Sequence, residues 1–274
     1  MSEMWDSVAP GWEANAGFVD EQLAAATEAL LDAAQIGEGD LVLDLAAGPG
    51  GAGLAAAHRV GSTGRVVLSD VAAEMVAIAA KRASADAQVS TAVFDQSAID
   101  FGEASFDAVM NRHGLMFVED PAQTVAEAVR VLRAGGHYAV MTWDRRELNP
   151  WLGLVLDAVG AQFGVPFPPP NVRGPFSLDT PDKLMSVLRD GGLQDVTFHA
   201  MPTPMHAASL EEWWERVPKL AGPLAIALAG MDADVRDAIG ERAIQSGTTA
   251  AISNKDGIVF EGSVLIGSGH KPAP

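Results

Sequence analysis

The sequence predicts an α/β fold in which a mostly parallel sheet carries helices on both faces. Three observations predict it. Five runs of strand-forming residues recur between positions 41 and 143, and most are separated by helix-length segments. The first run, LVLDLA at 41–46, is continuously apolar except for Asp44, as a strand buried on both faces requires. That run opens directly into a glycine bend, GPGGAG at 48–53.

The elements follow in order. A small-residue helix is expected from Ala52 to about Val60, then a second strand, RVVLSD, at 65–70. AEMVAIAAKRA at 73–83 reads as the second helix, VSTAVFD at 89–95 as the third strand and SFDAVMN at 105–111 as the fourth. Asp120-Pro121 suits an N-cap followed by the first helical position, and Gly135-Gly136 suits the end of that helix. HYAVMTW at 137–143 is the fifth strand. A proline-rich loop at 163–176 is expected to cross the surface or cap a cleft. Thr180-Pro181 opens a further helix that closes at Gly191-Gly192, and VTFHAM at 196–201 is a sixth strand. Ser209 and Glu212 have capping-box spacing and start a helical stretch that runs to about Gln245. IVFEGSVLIGSG at 258–269 alternates as an edge or antiparallel strand does.

Composition narrows the function classes. The chain has 274 residues and a net charge of −18, from 36 acids and 18 bases. Nucleic acid and anionic membranes need clustered Lys and Arg, so neither is expected as the main partner. There is no cysteine, which excludes disulfides, thiolate catalysis and Cys-ligated zinc. The six histidines show no i, i+4 pair and no grouping with acids, so no metal site is expected. The N-terminus lacks the pattern of a secretory signal, and LAGPLAIALAGM at 220–231 is too short to span a bilayer. A cytoplasmic protein is the expectation.

GPGGAG matches the dinucleotide fingerprint through Gly48, Gly50 and Gly53, and Asp70 lies 20 residues after Gly50 at the end of the next strand. Read literally, this is a nicotinamide or flavin site. Asp44 argues against that reading, because a carboxylate beside the bend would repel pyrophosphate. Asp44, Asp70 and Asp95 end three successive strands. An acidic rim of that kind suits a cationic amino-acid head, ribose hydroxyls and an adenine amine.

VLDLAAGPGG resembles the first motif of class I S-adenosyl-methionine-dependent methyltransferases, with Ala46 where glycine is commonest. LSDVAAEMV at 68–76 is similar to the second motif, and FDQSAIDF at 94–101 to the third. SFDAVMNRHGLMFVEDP and EAVRVLRAGGHYAVMTW follow in the family's order, while GLMFVEDP, RVLRAGG and NPW are similar to a subgroup related to the ubiquinone and menaquinone C-methyltransferases.

The resemblance implies a Rossmann-like, seven-stranded, mostly parallel sheet with an antiparallel last strand and a helical insertion between strands six and seven. It implies an N-terminal helical arm or lid at 1–35, a cofactor-binding half at 36–145, and a substrate side at 146–274 with the insertion at about 205–250. S-adenosyl-L-methionine is the implied cofactor. Asp44, Ala46, Gly48 and Gly50 would hold its amino-acid end, with Asn111 nearby. Asp70 would hold the ribose, and Met75, Asp95 and Gln96 the adenine. A small-molecule methyl acceptor is implied, with apolar, aromatic or quinone-like compounds fitting the Trp, Met and Phe content. Monomer and homodimer both remain open.

Several residues have competing readings. His113, just beyond the fourth strand, is the candidate catalytic base; a wall residue or a packed histidine is the alternative. Arg112 reads as an anion contact or an ion pair, and Asp107 as structural. Gly53 reads as a helix–sheet packing residue. Trp213 and Trp214 could line the acceptor pocket or pack. Trp5 and Trp12 belong to a lid or to a packed arm. Met116 and Phe117 read as core. Three rival functions stand beside methyl transfer: a nicotinamide-dependent oxidoreductase, a cofactor-binding protein without transferase activity, and a different reaction such as cyclisation on the same scaffold.

Overall fold

Two helices, α1 (Ser2–Gln22) and α2 (Ala24–Ala33), precede the first strand in the computed structural model, which describes residues 2–170 and 172–273. β1 (Leu41–Leu45), α3 (Gly51–Val60), β2 (Arg65–Asp70), α4 (Ala73–Arg82) and β3 (Val89–Val93) follow. Then come β4 (Phe106–Arg112), α5 (Pro121–Val131), β5 (Leu132–Trp143), α6 (Pro150–Phe163), α7 (Pro181–Asp190) and β6 (Gln194–Pro202). The last part holds β7 (Met205–Ala207), α8 (Leu210–Leu220), α9 (Gly222–Ala229), α10 (Ala233–Ala250), β8 (Ile252–Asn254), β9 (Gly257–Phe260) and β10 (Ser263–His270).

The main sheet has seven strands in the order β3-β2-β1-β4-β5-β10-β6. β1 to β5 pair in parallel, and β10 runs antiparallel to both β5 and β6. Alternation sends successive side chains to opposite faces. Val42, Met110, Met141 and Ile266 pack under α2 and α3, whereas Leu43, Val109, Val140 and Leu265 pack with α5 and α7. The expected seven-stranded, mostly parallel sheet with an antiparallel last strand is therefore present.

Four local expectations change. α5 stops at Val131, before Gly135-Gly136, and β5 starts at Leu132. The C-terminal segment claims this stretch: Gly135 N donates to the Lys271 carbonyl at 3.0 Å and Lys271 Nζ donates to the carbonyls of Arg130 and Leu132. β3 ends at Val93, two residues short of Asp95. The run 258–269 divides into β9 and β10 at Gly262, where a methyl group would lie 2.0 Å from the Thr203 carbonyl oxygen. β10 then enters the sheet interior and leaves β6 as the edge. The insertion between β6 and β10 is also not purely helical: β7, β9 and β8 form a second, three-stranded sheet beside α8, α9 and α10.

Helix starts follow local chemistry. Asp120, Thr180 and Ser209 each accept a hydrogen bond from the backbone N–H three residues on, which satisfies a donor the helix leaves free. Glu212 completes the box by accepting from Ala208 N, one residue earlier than the usual partner. α6, α8, α9 and α10 enclose their own core around Trp151, Val155, Trp213, Leu224 and Ile239. α1 lies on α4 through Val8, Ala9, Met75 and Ile78.

Candidate functional site

The bend after β1 is built from three left-handed residues at alternate positions: Ala46 (φ 54°), Gly48 (φ 53°) and Gly50 (φ 87°). Glycine accepts this region without strain, whereas alanine does not. Ala46 is accommodated because Gly114 lies opposite: a methyl at Gly114 would sit 2.4 Å from the Ala46 Cβ. The bend is tied to β2. Ala47 N donates to the Ser69 carbonyl at 2.8 Å, and Gly48 N donates to Asp70 Oδ2 at 2.9 Å. Asp70 Oδ1 accepts from Ala72 N at 3.0 Å. Each carboxylate oxygen therefore keeps lone-pair capacity for a ligand. Burial pushes the Asp70 carboxyl up from its ordinary pKa, against the backbone N–H groups that favour its ionised form.

A cavity of about 200 Å³ extends from this bend toward α6 and the insertion. Of the sequence-predicted cofactor residues, Ala46, Gly48, Asp70, Met75 and Gln96 line it. Space above Gly48 is open: a methyl group there would have no neighbour within 4 Å.

The other four lie elsewhere. Asp44 is completely buried under α3, and a methyl at Gly53 would lie 2.9 Å from its Oδ2. Burial raises its pKa to about 7, only partly offset by the nearby Arg112 guanidinium and the Gly53 backbone N–H. It is not an acid on the cavity rim. Gly50 faces Leu68 and Ala79, so its missing side chain serves packing. Asp95 is exposed beyond β3, where it accepts from Ser97 N and Ser97 Oγ. Asn111 is fully buried: its Oδ1 accepts from Gly114 N and Leu115 N, and its Nδ2 donates to Gln96 Oε1 at 2.6 Å. It shapes the turn after β4 and holds Gln96 toward the cavity.

His113 lines the cavity, with φ 63° and its ring stacked on Trp143 at 4.0 Å between centroids. Neither ring nitrogen has a protein partner. Burial, followed by the neighbouring Arg112 charge, lowers its pKa to about 3. The lowered value favours the neutral ring and weakens its basicity.

The aromatic wall differs from the one expected. Trp213 is a core residue whose Nε1 donates to the Trp151 carbonyl at 2.8 Å, and Trp214 packs over Gly240. Trp143 and Trp151 line the cavity instead, 5.0 Å apart edge to face. Asn149 fixes Trp151 by accepting from its Nε1 at 3.2 Å while bonding both ways with Ser263. Met116 belongs to the core shared with α5 and α7 and Phe117 packs against it, as read, and both also border the cavity, as do Trp5 and Trp12 of α1. Asp107 is structural: it accepts from Leu41 N and from Arg133.

Sequence reasoning missed Asp20. Its carboxylate lies over Gly51, where a methyl would be 1.8 Å from Oδ1. It pairs with Arg82 and, at 3.4 Å, with Arg112. Arg82 also donates to the Pro49 carbonyl at 2.7 Å. This cluster clasps α1 to the first turn of α3, the place where a dinucleotide pyrophosphate binds. The only sequence signal was an acid at a helix end, 62 and 92 residues from its partners.

Among the described residues, no group of three His, Asp or Glu side chains is arranged to hold a metal, and no helix is long and apolar enough to cross a membrane.

Residues 43–140 match the family model described as a methyltransferase domain. The ubiquinone/menaquinone biosynthesis C-methyltransferase UbiE of Xanthomonas oryzae pv. oryzae is 38% identical over 114 residues, which cover 40% of this chain and 45% of that protein. The chloroplastic 2-phytyl-1,4-beta-naphthoquinone methyltransferase of Arabidopsis thaliana is 33% identical over 113 residues, covering 39% of this chain and 43% of that one. The match thus spans less than half the length of either relative. Among solved structures, the [4+2]-cyclase SpnF superimposes with a TM-score of 0.62 at 19% identity, covering 100% of this chain and 96% of that one, a likeness of fold. Residues 43–140 are thus similar to a methyltransferase domain, and the proteins that the chain resembles in sequence include quinone C-methyltransferases.

Proposed function

We propose that the protein transfers a methyl group from S-adenosyl-L-methionine to an apolar small-molecule acceptor. The observation that carries the reading is one continuous cavity, with the glycine bend and Asp70 at one end and Trp143 and Trp151 at the other. Asp70 retains acceptor capacity for ribose hydroxyls, Gln96 presents an amide for the adenine edge, and Met75 offers an apolar wall. The open space above Gly48 accommodates the amino-acid end. These residues fit the cofactor, which supplies an electrophilic methyl on a sulfonium.

The chain's own residues do the rest. α1, held by Asp20, covers the bend with Trp5 and Trp12 and excludes water. The turn formed by Asn111 and Gly114 carries His113, which borders the cavity. The acceptor side positions a substrate for in-line attack. On this reading residues 1–35 act as the lid, 36–145 bind the cofactor, and 146–274 build the acceptor side. The cysteine-free sequence is compatible with a cytoplasmic enzyme. The Asp20 carboxylate, paired with Arg82 and Arg112 over the first turn of α3, disfavours the nicotinamide alternative because these side chains occupy the space a pyrophosphate would need.

An acceptor screen with labelled methyl donor tests the proposal. Label transfer to an apolar small molecule is expected. Tight S-adenosyl-homocysteine binding with no transfer to any compound would leave a cofactor-binding protein, or a different reaction on the same scaffold.

A further inference from the structure

A second cavity, of about 510 Å³, lies against the proline-rich segment. Pro168, Gly174 and Pro175 line both this cavity and the first, so one stretch of chain forms a wall common to the two. Methyl transfer makes no use of it.

Its charged lining has one sign. Arg146, Arg173 and Lys183 line it, and among the described residues no Asp or Glu does. That runs against the composition of a chain with 36 acids and 18 bases. From 158 to 178 Arg173 is the only charged residue. It has no carboxylate partner among the described residues. Its Nη2 donates to the Glu119 carbonyl at 3.1 Å, which leaves further guanidinium N–H groups to donate. Arg146 donates to the carbonyls of Phe167 and Gly153 and pairs with Asp157, so it is held between the segment and α6. Asp157 is exposed, and an ion pair of that kind contributes little. Lys183, in the first turn of α7, pairs with Asp179. These two pairs leave the Arg173 charge uncompensated.

The neutral lining suits the same kind of ligand. Ser177 Oγ accepts from Gly174 N at 2.9 Å, so its O–H proton remains to donate. Pro168, Pro169 and Pro170 carry no N–H and have a fixed φ, so recognition falls to the side chains and the wall keeps its shape before a ligand arrives. A polyvalent oxyanion can be shared by several cations, and guanidinium matches phosphate oxygens in pairs.

We propose that this second cavity binds a phosphate-type oxyanion, with Arg173 as its principal contact beside Lys183, Arg146 and Ser177, and that the bound anion braces the wall it shares with the first cavity. The inference stands on the second cavity and holds whichever reaction the first one serves.

The test uses the full chain with pyrophosphate and acetate as probes, at physiological salt, where a Debye length of about 8 Å screens most of the chain's excess negative charge. Calorimetry is expected to show one pyrophosphate site, with acetate binding about tenfold or more weakly. The double variant Arg173→Gln, Lys183→Gln should lose about tenfold or more in pyrophosphate affinity. Lys255→Gln, on the exposed turn between β8 and β9, should leave that affinity unchanged. Urea unfolding confirms that both variants are folded. Hydrogen exchange over residues 172–178 should slow when pyrophosphate is added to the unaltered protein and not when it is added to the double variant. Absence of pyrophosphate binding, equal affinity for acetate, an equal loss in Lys255→Gln, or binding that leaves exchange over 172–178 unchanged overturns the proposal.

Discussion

Replacing Asp44 with asparagine changes how stability depends on pH. The carboxyl is fully buried, and that burial pushes its pKa up to about 7 against the Arg112 charge and the Gly53 backbone N–H. In the unfolded chain it titrates near an ordinary aspartate value of about 3.9. Because the folded value is raised, the group's contribution to stability is fully present below the unfolded pKa and is lost as pH rises through the folded one. Linkage between those two values removes about 2.5 kcal/mol between pH 5 and pH 8. Asparagine does not titrate, and other groups cancel in the comparison. Urea unfolding of the ligand-free protein and of Asp44→Asn, at pH 5 and at pH 8, gives the difference directly. The unaltered protein should lose about 2.5 kcal/mol more than the variant over that interval. Parallel pH profiles would refute the burial argument and return Asp44 to an ionised, solvated site.

Other perturbations separate the site's parts. Asp70→Ala should weaken S-adenosyl-homocysteine binding about tenfold or more by calorimetry, since hydrogen bonds to a carboxylate are worth about 1.5–3 kcal/mol. It also frees Gly48 N and Ala72 N, so melting temperature should fall; unchanged affinity in a folded variant would remove Asp70 from the site. Gly53→Ala places a methyl 1.9 Å from Leu68 Cδ2, and urea unfolding should show a loss of about 1–3 kcal/mol. Asp20→Ala should speed S-adenosyl-homocysteine dissociation about tenfold in stopped-flow tryptophan fluorescence, because α1 loses its clasp. An unchanged rate would make the clasp a packing contact only.

The sheet and the bend were legible because their signals are local. A continuous apolar run, three glycines and an acid ending the next strand identify β1, the turn and Asp70 without distant information. Asp44 lies away from the cavity, and its surroundings carried a clue to that. It shares strand parity with Val42, which packs under α2 and α3, so its side chain enters that layer instead of the cavity. Asp95 was misplaced because β3 ends early, at Val93. Trp213 and Trp214 were ambiguous because α8 has partners on both flanks, the core of the insertion and Gly240 of α10. Trp151 reaches the cavity through Asn149 and Ser263, residues 114 apart in sequence. The Asp20 clasp is equally non-local, as is the pairing of Gly135 and Gly136 with Lys271 that shortened α5.

The most direct test of the central claim is paired calorimetry of the purified protein with S-adenosyl-homocysteine and with NAD. A cavity that couples the Asp70-bound bend to the aromatic chamber, with Asp20 over α3, should favour S-adenosyl-homocysteine by about a hundredfold or more, equivalent to about 2.7 kcal/mol. NAD binding as tightly as S-adenosyl-homocysteine, or more tightly, would contradict it.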